Sequence, residues 1–443
     1  MTGPRSDPLT ALRRALPEGT AVVALGLLVS GVTTYAYLVL TARAVGPERY
    51  AAVSALWAIT VLGALGVFIP LEQEVARAIS ARRALGTGAR PVLERGIPAA
   101  AALAGGLVLL AAAASGVLRS QLFDGSWVLL GSFAAALVAY AGVHLLRGVL
   151  SGTGRFAGYG LLMGSEGVIR LVGCVALVVA GVDTPGPYGI VLAGGAALAV
   201  VLVLAVERRV LEPGPPASMA ELATALGHLL AGSVLAQILL NGPPLAVKLL
   251  AQRHEHAIAG RFLAGLVVAR VPLFLSAALQ AALLPRLSGL VAAGRGAEFR
   301  AFLGRLLLVL SGLGVVSTVA AVAVGPPLVR LLFGSAFDLR AVDLGLLAAA
   351  SGLYLLAVVL AQALIAGGAQ PRVTAGWAAG VAGFALALVP SQALVTRVEV
   401  AFLVGSAVAA AAMGGLLLRT MPDEGVVPPV VVDPPLAVDP LEP

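Results

Sequence analysis

The chain predicts an all-α polytopic membrane protein: twelve transmembrane helices in two six-helix lobes related by a pseudo-two-fold axis. Three observations predict it. Hydrophobic residues make up 59% and charged residues 12%, with a mean hydropathy of +1.00, too little polar surface to coat a soluble globule of 443 residues. Apolar runs, each long enough to cross a bilayer, fill nearly the whole chain. Finally, the end signals of these runs recur in the second half at offsets of 209 to 215 residues.

A helix needs roughly 20 mostly apolar residues to cross a hydrocarbon core about 30 Å thick. The runs are continuous and rich in Leu, Ala and Val, without the alternation of a membrane barrel, so helices are expected. The first window, 21–44, follows a charged segment and shows no cleavage site before Arg43, so it reads as a retained helix. It carries Ser30, Thr34, Tyr37 and Thr41 on one face. The second, 50–71, ends in Glu72, Gln73 and Glu74 beside Arg77, an interfacial charge cluster or inner gate. The third and fourth occupy 97–118 and 127–149, and the latter holds an isolated His144. In the fifth, 160–181, Glu166 precedes Arg170 by four residues, the order of a self-neutralising intrahelical pair. The sixth covers 187–206.

The stretch 207–222, containing "LEPGPPAS", breaks helix continuity and reads as a cytoplasmic linker between lobes 1–206 and 223–420. The seventh span, 223–250, carries Gln237, Asn241, Pro244 and Lys248, which is the stripe of the first span displaced by 207 residues. These two stripes are expected to face a common interior. The eighth, 262–285, contains Arg270, Pro272 and Gln280. The last four windows fall at 305–325, 342–365, 374–394 and 400–419, and the acidic, Pro-rich tail 421–443 is expected to be disordered. Repetition supports the doubling: "EVARAIS" aligns with "LPRLSGL", "LRSQLFDG" with "LVRLLFG", and "LSGTGR" with "IAGGAQPR", always at the same span ends. Six spans separate the copies, so they are parallel repeats about an axis along the membrane normal, with a cavity expected between them.

The net charge of +7 is distributed for a membrane, not for nucleic acid. With the N-terminus inside, cations favour the cytoplasmic side by roughly two to one, the positive-inside pattern, which puts both termini in the cytoplasm of a plasma-membrane protein. Lys248 and Arg270 fall inside spans, where a charge costs roughly 2.5 to 3.5 kcal/mol and needs water, a partner or a ligand. The lone Cys174 excludes an intramolecular disulfide, and "HEH" at 254–256 reads as a solvated loop with no metal site. No phosphate loop, nucleophile elbow or zinc helix is present, and no cofactor is called for; the chain is not expected to be an enzyme.

Several segments together resemble the polysaccharide flippases, of the O-antigen and teichoic-acid type, in the multidrug/oligosaccharidyl-lipid/polysaccharide exporter superfamily. They are "LVLTARAVGPERYAAVSALWAI", "PLEQEVARAISARRALG", "LRGVLSGTGRFAGY", "LLNGPPLAVKLLA", "AIAGRFLAGLVVARVPLFLSAALQAALLPRLSGLVAAG" and "VRLLFGSAFD". The resemblance implies a two-lobed fold that opens alternately to each side and moves a polyprenyl-linked oligosaccharide to the outer leaflet, in contact with membrane lipids. A coupling cation, H+ or Na+, belongs to that picture. Some relatives carry an Asp shortly after the Asn of the seventh span, whereas here Asn241 is followed by Gly242, Pro243 and Pro244.

An anionic pyrophosphate and a polar glycan require a cationic, hydrated chamber. Lys248 and Arg270 are the expected phosphate contacts, the Arg as a fork and the Lys as a point charge. Gln237, Asn241, Gln280 and Tyr37 are expected to meet the sugars, with Thr34 and Thr41 on the same face, and Glu72, Glu74 and Arg77 to form an inner gate. The competing readings are a cation-coupled multidrug antiporter, for which Glu166 is the main acid, a membrane glycosyltransferase or polymerase, which the short external loops oppose, and a non-transporting scaffold.

Overall fold

A computed structural model of the chain describes residues 20–207, 211–219, 226–252, 255–390 and 393–419. The first-half helices are α1 (Thr20–Gly63), α2 (Ile69–Ala84), α3 (Arg90–Ala113), α4 (Trp127–Gly152), α5 (Phe156–Val179) and α6 (Pro185–Val206). In the second half α7 (Leu226–Leu250), α8 (His256–Ala269), α9 (Val271–Ala292), α10 (Gly296–Phe333), α11 (Ala341–Ala366), α12 (Gln370–Ala387) and α13 (Leu394–Leu418) follow. No strand occurs among the described residues. "Outer" below means the arginine-poor side, where α7 ends and α8 begins.

Helix α1 holds two crossings. The apolar helical stretch Val22–Ala84 is 63 residues long, about 95 Å if straight and three times the membrane core. Gly46, at φ 76 and ψ 166 and followed by Pro47, breaks it. The break is a reversal: Tyr37 and Trp57, 20 residues apart, have ring centroids 6.2 Å from each other. The second arm continues through a π-helical turn, Ala64–Phe68, into α2.

The eighth crossing is likewise two pieces. A single helix is expected over 262–285, but α8 ends at Ala269 and α9 starts at Val271, because Pro272 has no N–H with which to continue the ladder. Counted this way, the described helices make twelve crossings. Helix α10 runs well past its expected window 305–325 at both ends, and its apolar side chains, such as Leu308, Val315 and Val319, are exposed as lipid contacts require.

Within the first half, the helices pack as α1 on α5, α4 on α6 and α5 on α6; within the second, α11, α12 and α13 form the centre and α10 lies on α11. Contact between halves runs chiefly through α1 against α7 and α8. The turns expected to be equivalent share one device: Gly125 (φ 83) and Gly334 (φ 102) follow the buried Phe123 and Phe333, and Gly154 (φ 72) matches Gly368 (φ 74). Of the expected linker, residues 211–219 are described, and they lie along the α2–α3 turn. Arg82 donates to the Pro215 carbonyl at 2.6 Å and Arg95 to that of Ala217 at 3.2 Å, while the Arg90 N–H donates to Glu212 at 2.9 Å. The tail 421–443 lies outside the described residues.

Candidate functional site

The stripe on the first crossing turns into its own half. Thr34 accepts from the Arg170 guanidinium at 2.5 Å, the Tyr37 hydroxyl donates to the Tyr188 carbonyl at 3.0 Å, and Thr41 lies 3.6 Å from the Cys174 sulfur. Tyr37 and Thr41 are wholly buried there. Arg170 completes the cluster: it donates to Glu166 at 2.9 Å and lies over the Tyr37 and Trp57 rings at 5.7 and 5.3 Å. Tyr140 gives Glu166 a second bond at 2.7 Å. The i,i+4 pair is therefore present and embedded in a polar core of the first half.

The gate residues divide between two settings. Glu72 turns into the first half, accepting contacts from His144 Nδ1 at 2.7 Å and Arg147 at 3.2 Å. Glu74 pairs with Arg77 at 2.8 Å within one turn of α2.

The second-half stripe lies at the junction of the halves. Asn241 donates to Gln237 at 2.8 Å, and Gln237 sits against Gly66 of the π-helical turn. Pro244 removes the N–H that would bond the Leu240 carbonyl four residues earlier. Arg270, at the α8–α9 break, donates to that carbonyl instead. Its Nε has no partner, and its guanidinium carbon lies 5.9 Å from the Phe402 ring centre. Ser233 donates to the Leu65 carbonyl at 3.1 Å, a polar contact between the halves. The side chain of Gln280 lies outside the described residues.

Lys248 has a different neighbour from Arg270. Its side chain is 0% exposed and its Nζ lies 2.6 Å from Asp124 Oδ1, on the loop before α4, with His256 Nδ1 at 3.4 Å. Asp124 is the one non-glycine residue with positive φ (48°) among the described residues. This pair joins the two halves at their outer ends, and three further contacts do the same. Arg43 donates to the Leu331 and Leu332 carbonyls, the Tyr50 ring meets Phe337 at 5.9 Å and Phe333 at 6.4 Å, and Gly260 abuts Pro47. These contacts close the outer side across the halves; nearer the arginine-rich side α7 packs on α2 and on the π-helical turn, again across the halves.

Gly260 makes this closure testable. A Cβ there would lie 1.7 Å from the Pro47 carbonyl oxygen, and the obstacle is backbone. Gly260→Ala is therefore expected to hold the outer ends of α1 and α8 apart. Spin labels at the exposed Asp183 and Arg330, one on each half, should report a longer distance than in the parent; an unchanged distance rejects the closure.

The sequence marks Lys248 by its place inside a span, but gives Asp124, in "LRSQLFDG", only a repeat position; its φ is not legible in composition. His256, expected in a solvated loop, lies beside the Lys248–Asp124 pair. Tyr35, which donates to the Val267 carbonyl at 3.1 Å, and the buried Glu399 were not singled out either.

No family model matches the chain. An uncharacterized protein of Mycobacterium tuberculosis is 26% identical over 398 residues, spanning 88% of this chain and 90% of its own, and a Mycobacterium bovis counterpart matches equally. Among solved structures, a MATE family transporter of the MOP superfamily in its inward-facing conformation superposes with a TM-score of 0.71 at 13% identity, covering 91% of this chain and 98% of its own. An outward-facing MATE structure gives 0.65 at 12% identity, covering 91% and 95%. A MOP superfamily transporter from Pyrococcus furiosus, described as having a binding pocket of reverse polarity, gives 0.64 at 14% identity, covering 91% and 95%. The fold is that of the MATE transporters, a multi-pass membrane architecture.

Proposed function

We propose that this chain is a transporter, not an enzyme, of the plasma membrane with both termini cytoplasmic, and that it moves polyprenyl-linked oligosaccharide from the inner to the outer leaflet by alternating access. The observation that carries this reading is Arg270: a cation at a helix break where the halves meet, with an unpartnered Nε and the Gln237–Asn241 amides on the neighbouring helix. Such a group suits a phosphate, which accepts from a guanidinium fork, while the amides suit sugar hydroxyls. Lys248, released from Asp124 when the outer end opens, is the second phosphate contact. Thr34, Tyr37 and Thr41 frame the first half that rocks as a unit, and Glu74 and Arg77 lie where the inner ends would meet.

The reverse pocket polarity described for the Pyrococcus furiosus transporter supports a site on this fold whose lining differs in polarity from that of its multidrug neighbours. The multidrug description of the MATE neighbours favours the second reading, a cation-coupled antiporter. That reading needs an acid deep in a lobe that is free to take a cation, and Glu166 is paired with Arg170 and Tyr140 while Glu72 is paired with His144 and Arg147.

The test is flipping of a fluorescent lipid-linked oligosaccharide by purified protein in liposomes. Loss of a charge-assisted contact of about 1.5–3 kcal/mol predicts that Arg270→Gln lowers the rate roughly 10- to 100-fold. A normally inserted Arg270→Gln protein that flips at the parent rate removes the proposal.

A further inference from the structure

The second crossing is broken at the level where the eighth is. Val271, where α9 starts, is Ala64 displaced by 207 residues, the offset that relates the two polar stripes, and Ala64 opens the π-helical turn Ala64–Phe68. In such a turn each carbonyl takes the N–H five residues on instead of four. The ladder is displaced by one residue, so the Ile69 N–H serves Ala64, and the donor due to Leu65 is Pro70, which has no N–H. The Leu65 carbonyl is thus left without a donor in its own helix. Ser233 of α7 supplies one from the other half, at 3.1 Å. The two surfaces are in close contact there: a Cβ on Gly66 would lie 3.4 Å from the Val234 Cα and 3.7 Å from the Gln237 Cβ. The two breaks present opposite chemistry to α7. On the second-half side stands Arg270, bonded to the Leu240 carbonyl and with its Nε donor unpartnered; on the first-half side stands a carbonyl acceptor. Ser233, Gln237 and Leu240 follow one another at four and three residues on one face of α7, so about 10 Å along its axis separates the acceptor from the cation.

We propose, resting on the transport reading above, that the Leu65 carbonyl is the first-half contact for the glycan: a sugar hydroxyl donates to it in place of Ser233 while Arg270 holds the phosphate. The spacing seats a pyrophosphate at Arg270 with the first sugar beside it, on the inner side. The serine and the sugar exclude one another, because the π-helical turn and α7 leave no room for a ring while they touch. Cargo binding therefore exchanges a bond between the halves for a bond to the cargo, and the halves part on the inner side without stranding a buried carbonyl. A ligand shifts such an equilibrium only by what it binds in one state and not in the other, and here that difference is the hydroxyl on Leu65. A pyrophosphate diester at neutral pH carries acceptors alone and cannot make the exchange. The glycan, and not only the charge, opens the inner side.

Binding of a fluorescent polyprenyl-pyrophosphate oligosaccharide to the purified protein in lipid is compared with binding of the same molecule O-methylated on its sugars, which keeps the phosphates and the rings but donates no hydrogen bond. The parent is expected to prefer the free glycan; equal affinities overturn the proposal. Pro70→Ala restores the missing N–H, so Leu65 is satisfied inside its own helix, and the preference should fall about fivefold, the worth of one neutral hydrogen bond. Retained binding of the methylated lipid shows that this variant is folded, and an undiminished preference in it overturns the proposal. Ser233→Ala keeps the acceptor and removes only its closed-state donor. In a Cys174→Ala background, labels at the exposed Leu85 and Ala293, one on each half at the inner side, should move apart in Ser233→Ala without any cargo. Both lipids should then bind more tightly by one common factor, up to about fivefold; an unchanged label distance overturns the exchange. A parent that binds neither lipid loses the transport reading, whereas the label distances, read without cargo, still decide whether Ser233 on Leu65 closes the inner side.

Discussion

Asp124→Asn and Lys248→Gln are both expected to shift the protein toward an outward-open arrangement, and Asp124→Asn by more. The ordering follows from where each charge is left. Lys248 is wholly buried whereas Asp124 is 35% exposed. Removing the Lys strands a carboxylate that water can reach, a cost between that of an exposed pair, about 0–1 kcal/mol, and that of a buried one. Removing the Asp charge strands a buried ammonium, which approaches the buried limit of about 3–5 kcal/mol for breaking a pair. Opening the outer end relieves either cost, so each 1.4 kcal/mol moves the equilibrium about tenfold. Asn tolerates the left-handed backbone at position 124, so Asp124→Asn alters the charge without breaking the turn. Distance distributions between labels at Asp183 and Arg330, in a protein whose buried Cys174 has been replaced by Ala, measure both shifts. Equal effects, or none, mean that this pair does not hold the outer end.

The spans and their order were legible because they depend on run length and hydropathy, which are local. The words around Phe123 and Phe333 were legible as span ends, and the structure puts a positive-φ glycine in each, Gly125 and Gly334. Periodicity also identified the polar face of the first crossing. It did not identify the neighbour of that face: Thr34, Tyr37 and Thr41 meet α5 and α6, not the opposite half. The matched stripe shows the same limit. Thr41 and Lys248 are equivalent by offset, yet Thr41 reaches Cys174 inside its own half and Lys248 reaches across to a residue 124 positions away. Pairing over such separations is a property of the packed fold. The Arg270–Leu240 contact was half legible, in that Pro244 announces a free carbonyl but does not say which donor takes it. Glu399 is not legible because the apolar run of the last crossing begins at 400, whereas the helix itself starts at Leu394.

The polar core of the first half should prove the most sensitive position in the molecule to truncation. Arg170 is 1% exposed and binds Glu166 and Thr34 between two aromatic rings. Arg170→Met keeps most of the volume but leaves Glu166 with Tyr140 as its partner, and a destabilisation of about 3–5 kcal/mol is expected. Removing both charges, as Glu166→Gln with Arg170→Met, should return much of that loss, because no stranded ion remains. Unfolding of the purified single and double variants measures the cycle. A single variant that costs under about 1 kcal/mol, near the value of a surface pair, rejects the account. The double variant, expected to fold, also separates the two transport readings, because it lacks the acid that an antiporter of this fold would draw on in the first half. Flipping retained in that protein is the outcome expected if Glu166 holds helices together; flipping abolished in a stable double variant would make Glu166 a coupling residue and reverse the preference given to an anionic cargo.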